Sequence, residues 1–224
     1  MDWQALLLSL KLAAATTVIL IPLALVLARW LAWSRFVMKG FIEALVALPL
    51  VLPPTVLGYY LLISFGRHGW LGARYAEWFD ASLAFSFTGL LLASLVFNLP
   101  FAVQPAQRAF ESISSEVRES AWCCGLTPWR TFWKIELPLA WNGVLGAALL
   151  TFAHTLGEFG VVLMVGGNIP GKTRTLSIAI FDQVEAFEEH TAAVMSLSML
   201  VFSTLVIGCV YILFNSRMNQ RGHK

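Results

Sequence analysis

Charge is scarce in this chain. Lys, Arg, Asp and Glu supply 12% of its 224 residues, against about 25% in soluble domains. Together with 58% hydrophobic residues and a mean hydropathy of +0.73, this excludes a solvated globular domain and implies an integral membrane protein. The length suits a single domain, 1–224, with no room for a separate catalytic module. A net charge of +2 is too small to imply a nucleic-acid partner. Cysteine is also scarce. Cys123, Cys124 and Cys209 form an odd set with an adjacent pair, which reads as reduced packing thiols, and their spacing suits no metal. No cofactor is implied. The histidines His68, His154, His190 and His223 are scattered, and G-x-S-x-G, H-E-x-x-H and facing aspartates are missing, so catalysis by this chain is not expected. The N-terminus lacks a basic region before its apolar run, because Met1-Asp2-Trp3 precedes Gln4. That run also exceeds the about 7–15 residues of a signal-peptide core, so it is expected to remain as a span.

Long apolar runs are what the sequence does have. Five segments reach the ~20 mostly apolar residues of a spanning helix, at about 5–33, 41–65, 83–106, 139–165 and 192–214. The expected fold is therefore all-α, with about five transmembrane helices and termini on opposite sides. One set of connections and ends carries Arg29, Arg35, Lys39, Arg108, Arg118, Arg130, Lys134, Arg217, Arg221 and Lys224. The other carries only Lys11, Arg67, Arg74, Lys172 and Arg174. Because cytoplasmic loops are enriched in Lys and Arg, the N-terminus is expected outside and the C-terminus in the cytoplasm.

Several spans are not plain helices. Pro49, Pro53 and Pro54 interrupt the second, and Pro100 and Pro105 the third. Each interior proline removes a hydrogen bond and kinks the helix, and the freed carbonyls need a neighbour or a water-lined cavity. A packing kink and a bent helix lining a pathway both fit, which makes Pro53 and Pro54 pathway candidates. Gly89 with Ala93, and Gly143 with Ala147, would allow close helix approach. Glu158 lies deep in the fourth span, where a charged group costs roughly 2.5–3.5 kcal/mol. A structural role is favoured for it, hydrogen-bonded to neighbouring helices or paired with His154, with gating as the alternative. Asn98 is a milder case.

Residues 166–173 satisfy the G-x4-G-K-[ST] pattern of a phosphate-binding loop. The context is wrong: the segment follows a membrane span rather than a strand, and it falls on the outer side. It reads instead as a tight turn at the outer mouth, containing Asn168 and Gly171, with Lys172 and Arg174 available to an anion or an external partner. Beyond it, Leu176, Ile180, Val184 and Phe187 recur at helical spacing. An external loop and amphipathic helix over about 166–190, or a merely solvated acidic loop, are both consistent with this.

Between Glu119 and Pro138 the chain turns polar, reading ESAWCCGLTPWRTFWKIELP. A bilayer has no use for such a segment, so it is expected to contact something in water. A short helix over about 116–125 is expected, anchored by Trp122 and stopped by Gly125 and Pro128. The spacing Glu119-Ser120-Ala121, Gly125, Ile135, Leu137-Pro138 resembles the EAA loop of ATP-binding-cassette importer permeases, with Ser120 as the one departure. The runs Leu48–Tyr59, Phe65-Gly66-Arg67, Leu156–Gly160 and Asn168–Thr175 are similar to molybdate permease subunits in particular. The resemblance implies a type I importer fold in a bacterial inner membrane, with a coupling loop over about 111–138 that docks on a cytosolic ATPase. It further implies two copies of this chain, two ATPase subunits that hydrolyse ATP, and an external molybdate-binding protein. The pathway would lie between the two copies. Tungstate and sulfate or thiosulfate permeases share parts of these motifs and form the alternative.

Overall fold

A computed structural model describes residues 2–221; Met1, Gly222, His223 and Lys224 lie outside the described residues, as do the side chains of Cys209, Arg217 and Arg221. Helices and their connections make up the described residues, and no strand occurs among them. Helix α1 (Trp3–Trp33) begins where the Asp2 carboxylate accepts from the amides of Gln4 at 3.1 Å and Ala5 at 3.0 Å, satisfying donors that the first turn leaves free. Its 31 residues extend for roughly 46 Å at 1.5 Å per residue, more than a hydrocarbon core needs.

The second span, expected as one kinked helix over 41–65, is two helices: α2 (Lys39–Val51) and α3 (Pro54–Phe65), bent by 105°. The cause is the double proline. Leu52, ahead of Pro53, is forced into extended backbone at φ −71° and ψ 134°. Pro53 has no amide to donate, and Pro54 starts a new helix at a position that proline favours. By contrast α5 (Phe87–Glu111) carries Pro100 and Pro105 and still runs as one helix. Between them lies α4 (Trp70–Phe79).

After α5 come α6 (Ser115–Cys123), α7 (Pro128–Thr131), a π-helical turn (Phe132–Glu136) and α8 (Leu137–Gly157). The fourth span ends earlier than the sequence suggests, because the helix stops at Gly157 and resumes as the short α9 (Gly160–Gly166). Then follow α10 (Leu176–Glu185) and α11 (Glu189–Arg221). Among the described residues, four helical runs are long and apolar enough to cross a membrane: α1, α5, the run Pro128–Gly157, and Glu189–Val206 within α11. The bent α2–α3 pair, counted as one span, makes five.

Helices α1, α5 and α8 share a core of small and branched residues: Ala24, Ala28 and Leu31 meet Ala102, Val103 and Ala106, with Ala140, Val144 and Ala147 closing the third side. Lipid is as apolar as these side chains, so close fit rather than water exclusion holds such helices together. Gly143 shows how close the fit is, since a Cβ there would run into the Ala109 Cβ and come within 3.2 Å of the Pro105 carbonyl. A second core joins α3, α5 and α9 through Phe65, Ala93, Phe97, Val161 and Val165. In it the two breaks meet: a Cβ on Gly160 would lie 2.7 Å from the Pro54 Cβ, and one on Gly58 would lie 2.7 Å from the Met164 Cβ.

Candidate coupling and pathway sites

The polar segment folds as a short helix with a defined stop. Glu116 sits in the first turn of α6, where a negative charge suits the helix dipole. At the other end the Gly125 amide donates to the Trp122 carbonyl at 2.9 Å and the Leu126 amide to the Ala121 carbonyl at 3.1 Å. This paired closure is a Schellman motif, and it places Gly125 at φ +78°, where glycine alone is unstrained. Thr127 then caps α7, and Pro128 occupies its first position. Glu119, Ser120 and Gly125 are exposed, Ala121 is buried and Trp122 remains 43% exposed. Ile135 and Leu137 are half-buried and Pro138 is exposed. In the π-helical turn the Leu137 amide reaches the Phe132 carbonyl. Pro138 accounts for this local widening, because its ring would otherwise crowd the Lys134 carbonyl one turn back.

The residue that organises this end of the bundle was not singled out by the motif. Glu136, between Ile135 and Leu137, is completely buried. It accepts from Arg29 Nε and Nη2, and from Arg118 Nε at 2.9 Å. The Arg118 guanidinium also stacks 3.9 Å from the Trp33 ring centroid and 5.0 Å from that of Trp122, and Arg29 lies 5.4 Å from that of Phe132. The one sequence signal was an acid, Glu136, between the apolar residues of a span's entry.

The intramembrane polar residues pair differently from expectation. His154 Nδ1 lies 3.0 Å from Asn98 Oδ1, and Asn98 Nδ2 donates to the Ser94 carbonyl at 2.8 Å. Phe101 stacks on the imidazole at 3.8 Å between centroids. Glu158 therefore does not pair with His154. The helix has ended: Glu158 is extended at φ −69° and ψ 138°, which takes its side chain off the helical face that carries His154. Its carboxylate is buried and neither oxygen has a hydrogen-bond partner among the described residues. Its carbonyl accepts from Ser177 Oγ at 2.6 Å, joining the break to α10. Pro53 and Pro54 are exposed on the elbow of the bent pair, and Pro54 lies against Gly160, two residues beyond Glu158.

The loop with the phosphate-loop pattern is closed on itself. The amides of Lys172, Thr173 and Arg174 all converge on the Ile169 carbonyl, and Thr173 Oγ1 donates to the Gly166 carbonyl at 2.7 Å. Three of the amides that a phosphate would need are thus turned inward, and α9 rather than a strand precedes the loop. Asn168, at φ 57°, donates from Nδ2 to both Asp182 oxygens at 3.0 Å and accepts from Arg174 Nε at 2.7 Å. Gly171 takes φ 73°. Lys172 stays exposed and lines a cavity of about 800 Å³ with Lys11, Gln4 and Ser86. On α10 the buried face is Leu176, Ile178 and Ala179, whereas Val184 and Phe187 are exposed. Phe187 left the expected stripe because the chain turns there at φ 57° before α11.

Comparison with known proteins places this architecture. Residues 20–220 match the family described as "Binding-protein-dependent transport system inner membrane component". The chain is 49% identical over 221 residues to the molybdenum transport system permease protein ModB of Azotobacter vinelandii, covering 99% of this chain and 96% of that protein. It is 35% identical over 209 residues to ModB of Escherichia coli strain K12, covering 92% and 91%. A probable sulfate transport system permease protein of Zygnema circumcarinatum is 35% identical over 203 residues, covering 89% of this chain and 70% of that protein. In fold, the chain is similar at a TM-score of 0.72 and 17% identity to a chain from a bacterial ABC transporter involved in the import of the acidic polysaccharide alginate, covering 99% of this chain and 79% of that one. An all-helical bundle of four or five spans, matched along nearly its whole length, thus belongs to the inner-membrane components of binding-protein-dependent transport systems.

Proposed function

We propose that this chain is the permease subunit of an ATP-driven importer whose cargo is molybdate. The observation that carries the cargo is the 49% identity, across 99% of the chain, with the molybdenum permease of A. vinelandii. Catalysis belongs to partners: two cytosolic ATPase subunits hydrolyse ATP, and an external binding protein delivers the oxyanion. The ATPase docks on the segment 111–138. In it α6 presents Glu119 and Ser120 outward, held by buried Ala121 and stopped at Gly125, while Ile135, Leu137 and Pro138 carry its movement into α8. The loop and helix over 166–190 receive the binding protein through Lys172, on a frame that Asn168, Gly171 and Arg174 keep in shape.

The N-terminus lies outside and the C-terminus in the cytoplasm. Supporting this, Arg29, Lys39, Arg108 and Arg118 gather in ion pairs at the α6 end, and Lys11 and Lys172 line the cavity at the other. A second copy covers the apolar elbow of α2 and α3, where Val51, Tyr59 and Tyr60 are 79%, 52% and 63% exposed. The pathway runs between the copies, past Pro53 and Pro54, with Asn98 and Glu158 behind it. Alternating access needs a bundle with two arrangements, and the facing breaks at Pro53–Pro54 and Glu158 supply hinge points. A sister specificity for tungstate or for sulfate and thiosulfate is the second reading, favoured by the 35% identity with a sulfate permease. Labelled molybdate uptake tests both, in cells lacking their own transporter and supplied with this chain, its ATPase and its binding protein. Uptake that resists excess sulfate is expected; full competition by sulfate would move the cargo to the sulfate branch.

A further inference from the structure

The EAA pattern names Ile135, Leu137 and Pro138 and leaves the residue between Ile135 and Leu137 open. In this chain that residue is Glu136, whose carboxylate is buried at the meeting point of three elements. We propose that Glu136 and Arg118 are positioning residues that fasten α6 to α1 and the base of α8, so that these move as one body. The proposal rests on α6 being the ATPase-docking element.

The geometry suits a joint. Arg29, from α1, grips both carboxylate oxygens of Glu136, and Arg118, from α6, bonds to Oε1 at 2.9 Å. Planar guanidiniums on a carboxylate fix orientation as well as distance. Arg118 is further held between the Trp33 and Trp122 rings, one from α1 and one from its own helix. Without these contacts α6 has little to hold it. It has nine residues, too few to be stable alone, and its close backbone packing is with α7. The helix also divides its faces: Glu119 and Ser120 are exposed, whereas the Arg118 side chain is only 14% exposed. One flank meets a partner while the other is anchored through buried Ala121 and the counter-ion that Arg118 shares with Arg29.

Arg118 is the better site to perturb, because Arg29 continues to pair with Glu136 when it is removed. The test uses the assembled transporter with its ATPase and binding protein in proteoliposomes, and compares Arg118→Met and Arg118→Lys with the unaltered chain. In Arg118→Met, ATPase subunits stay on the purified complex and hydrolysis stays within twofold, but cargo moved per ATP falls at least tenfold. Arg118→Lys recovers part of this, since it keeps the charge and loses the fork. A spin label on Cys123 and another on Trp30→Cys, in a Cys124→Ser, Cys209→Ser background, give a narrow distance distribution that broadens in Arg118→Met. Unchanged cargo per ATP in Arg118→Met overturns the proposal. Loss of the ATPase subunits overturns it too, by placing Arg118 on the docking surface. Cross-linking from Cys123 to the ATPase in the unaltered chain reports separately on docking, and its absence would remove the underlying reading rather than the joint.

Discussion

Substitutions at Gly125 separate the conformational role of the turn after α6 from its role as a surface. The residue sits at φ +78°, and a Cβ built there meets nothing within 4 Å. Gly125→Ala therefore adds no clash, and its whole effect is backbone strain of about 1–2 kcal/mol. A cost of 1 kcal/mol shifts a local equilibrium about fivefold. In a nine-residue helix that shift falls on the population of the closed turn, since no core contact is lost. Asn tolerates the left-handed region better than Ala, so Gly125→Asn should retain most function. Gly125→Trp carries a similar strain and adds an indole where the partner is proposed to sit. In proteoliposomes we expect cargo per ATP to fall slightly for Asn, by about five- to thirtyfold at most for Ala, and further for Trp. Thermal stability in detergent should hold in all three. Normal coupling in Gly125→Trp would refute docking through α6, and equal behaviour of Asn and Ala would refute the conformational argument.

Gly143→Leu should destabilise the α5–α8 contact by about 1–3 kcal/mol, because a side chain there meets Ala109 and Pro105. Gly146→Leu points into open space and should be near neutral; equal melting temperatures in detergent would contradict this packing. Asn98→Leu strands the His154 nitrogen and should lower stability by about 1–3 kcal/mol, whereas an unchanged melting temperature would show that the bond contributes nothing. Glu158→Gln replaces a buried carboxyl that has no hydrogen-bond partner among the described residues with a neutral amide of the same size, so melting should be unchanged or higher, and a lower value would reveal a partner for the ionised group.

Much of this molecule was written in local sequence. Apolar length and proline position are read over a few residues, so the five spans, a kink in the second span and the cap at Gly125 could be anticipated without a fold. The family resemblance rested on the spacing from Glu119 to Pro138 for the same reason. What local pattern could not rank was which proline breaks a helix. Pro100 and Pro105 lie within a continuous α5 packed between α1 and α8, whereas Pro53–Pro54 pairs two imino residues and turns the chain by 105°. Nor could it supply partners across the bundle. His154 chose Asn98 from another helix, leaving Glu158 alone after α8 ended one residue earlier. The phosphate-loop pattern was disarmed by amides that turned back on Ile169. Glu136 gained its importance only when folding brought Arg29, 107 residues away, and Arg118 to the same carboxylate. Sequence alone determined the class, the spans and the polar segment, because those follow from solvent and spacing. Tertiary structure decided which charges meet, because a pair is made by two surfaces that only packing brings together.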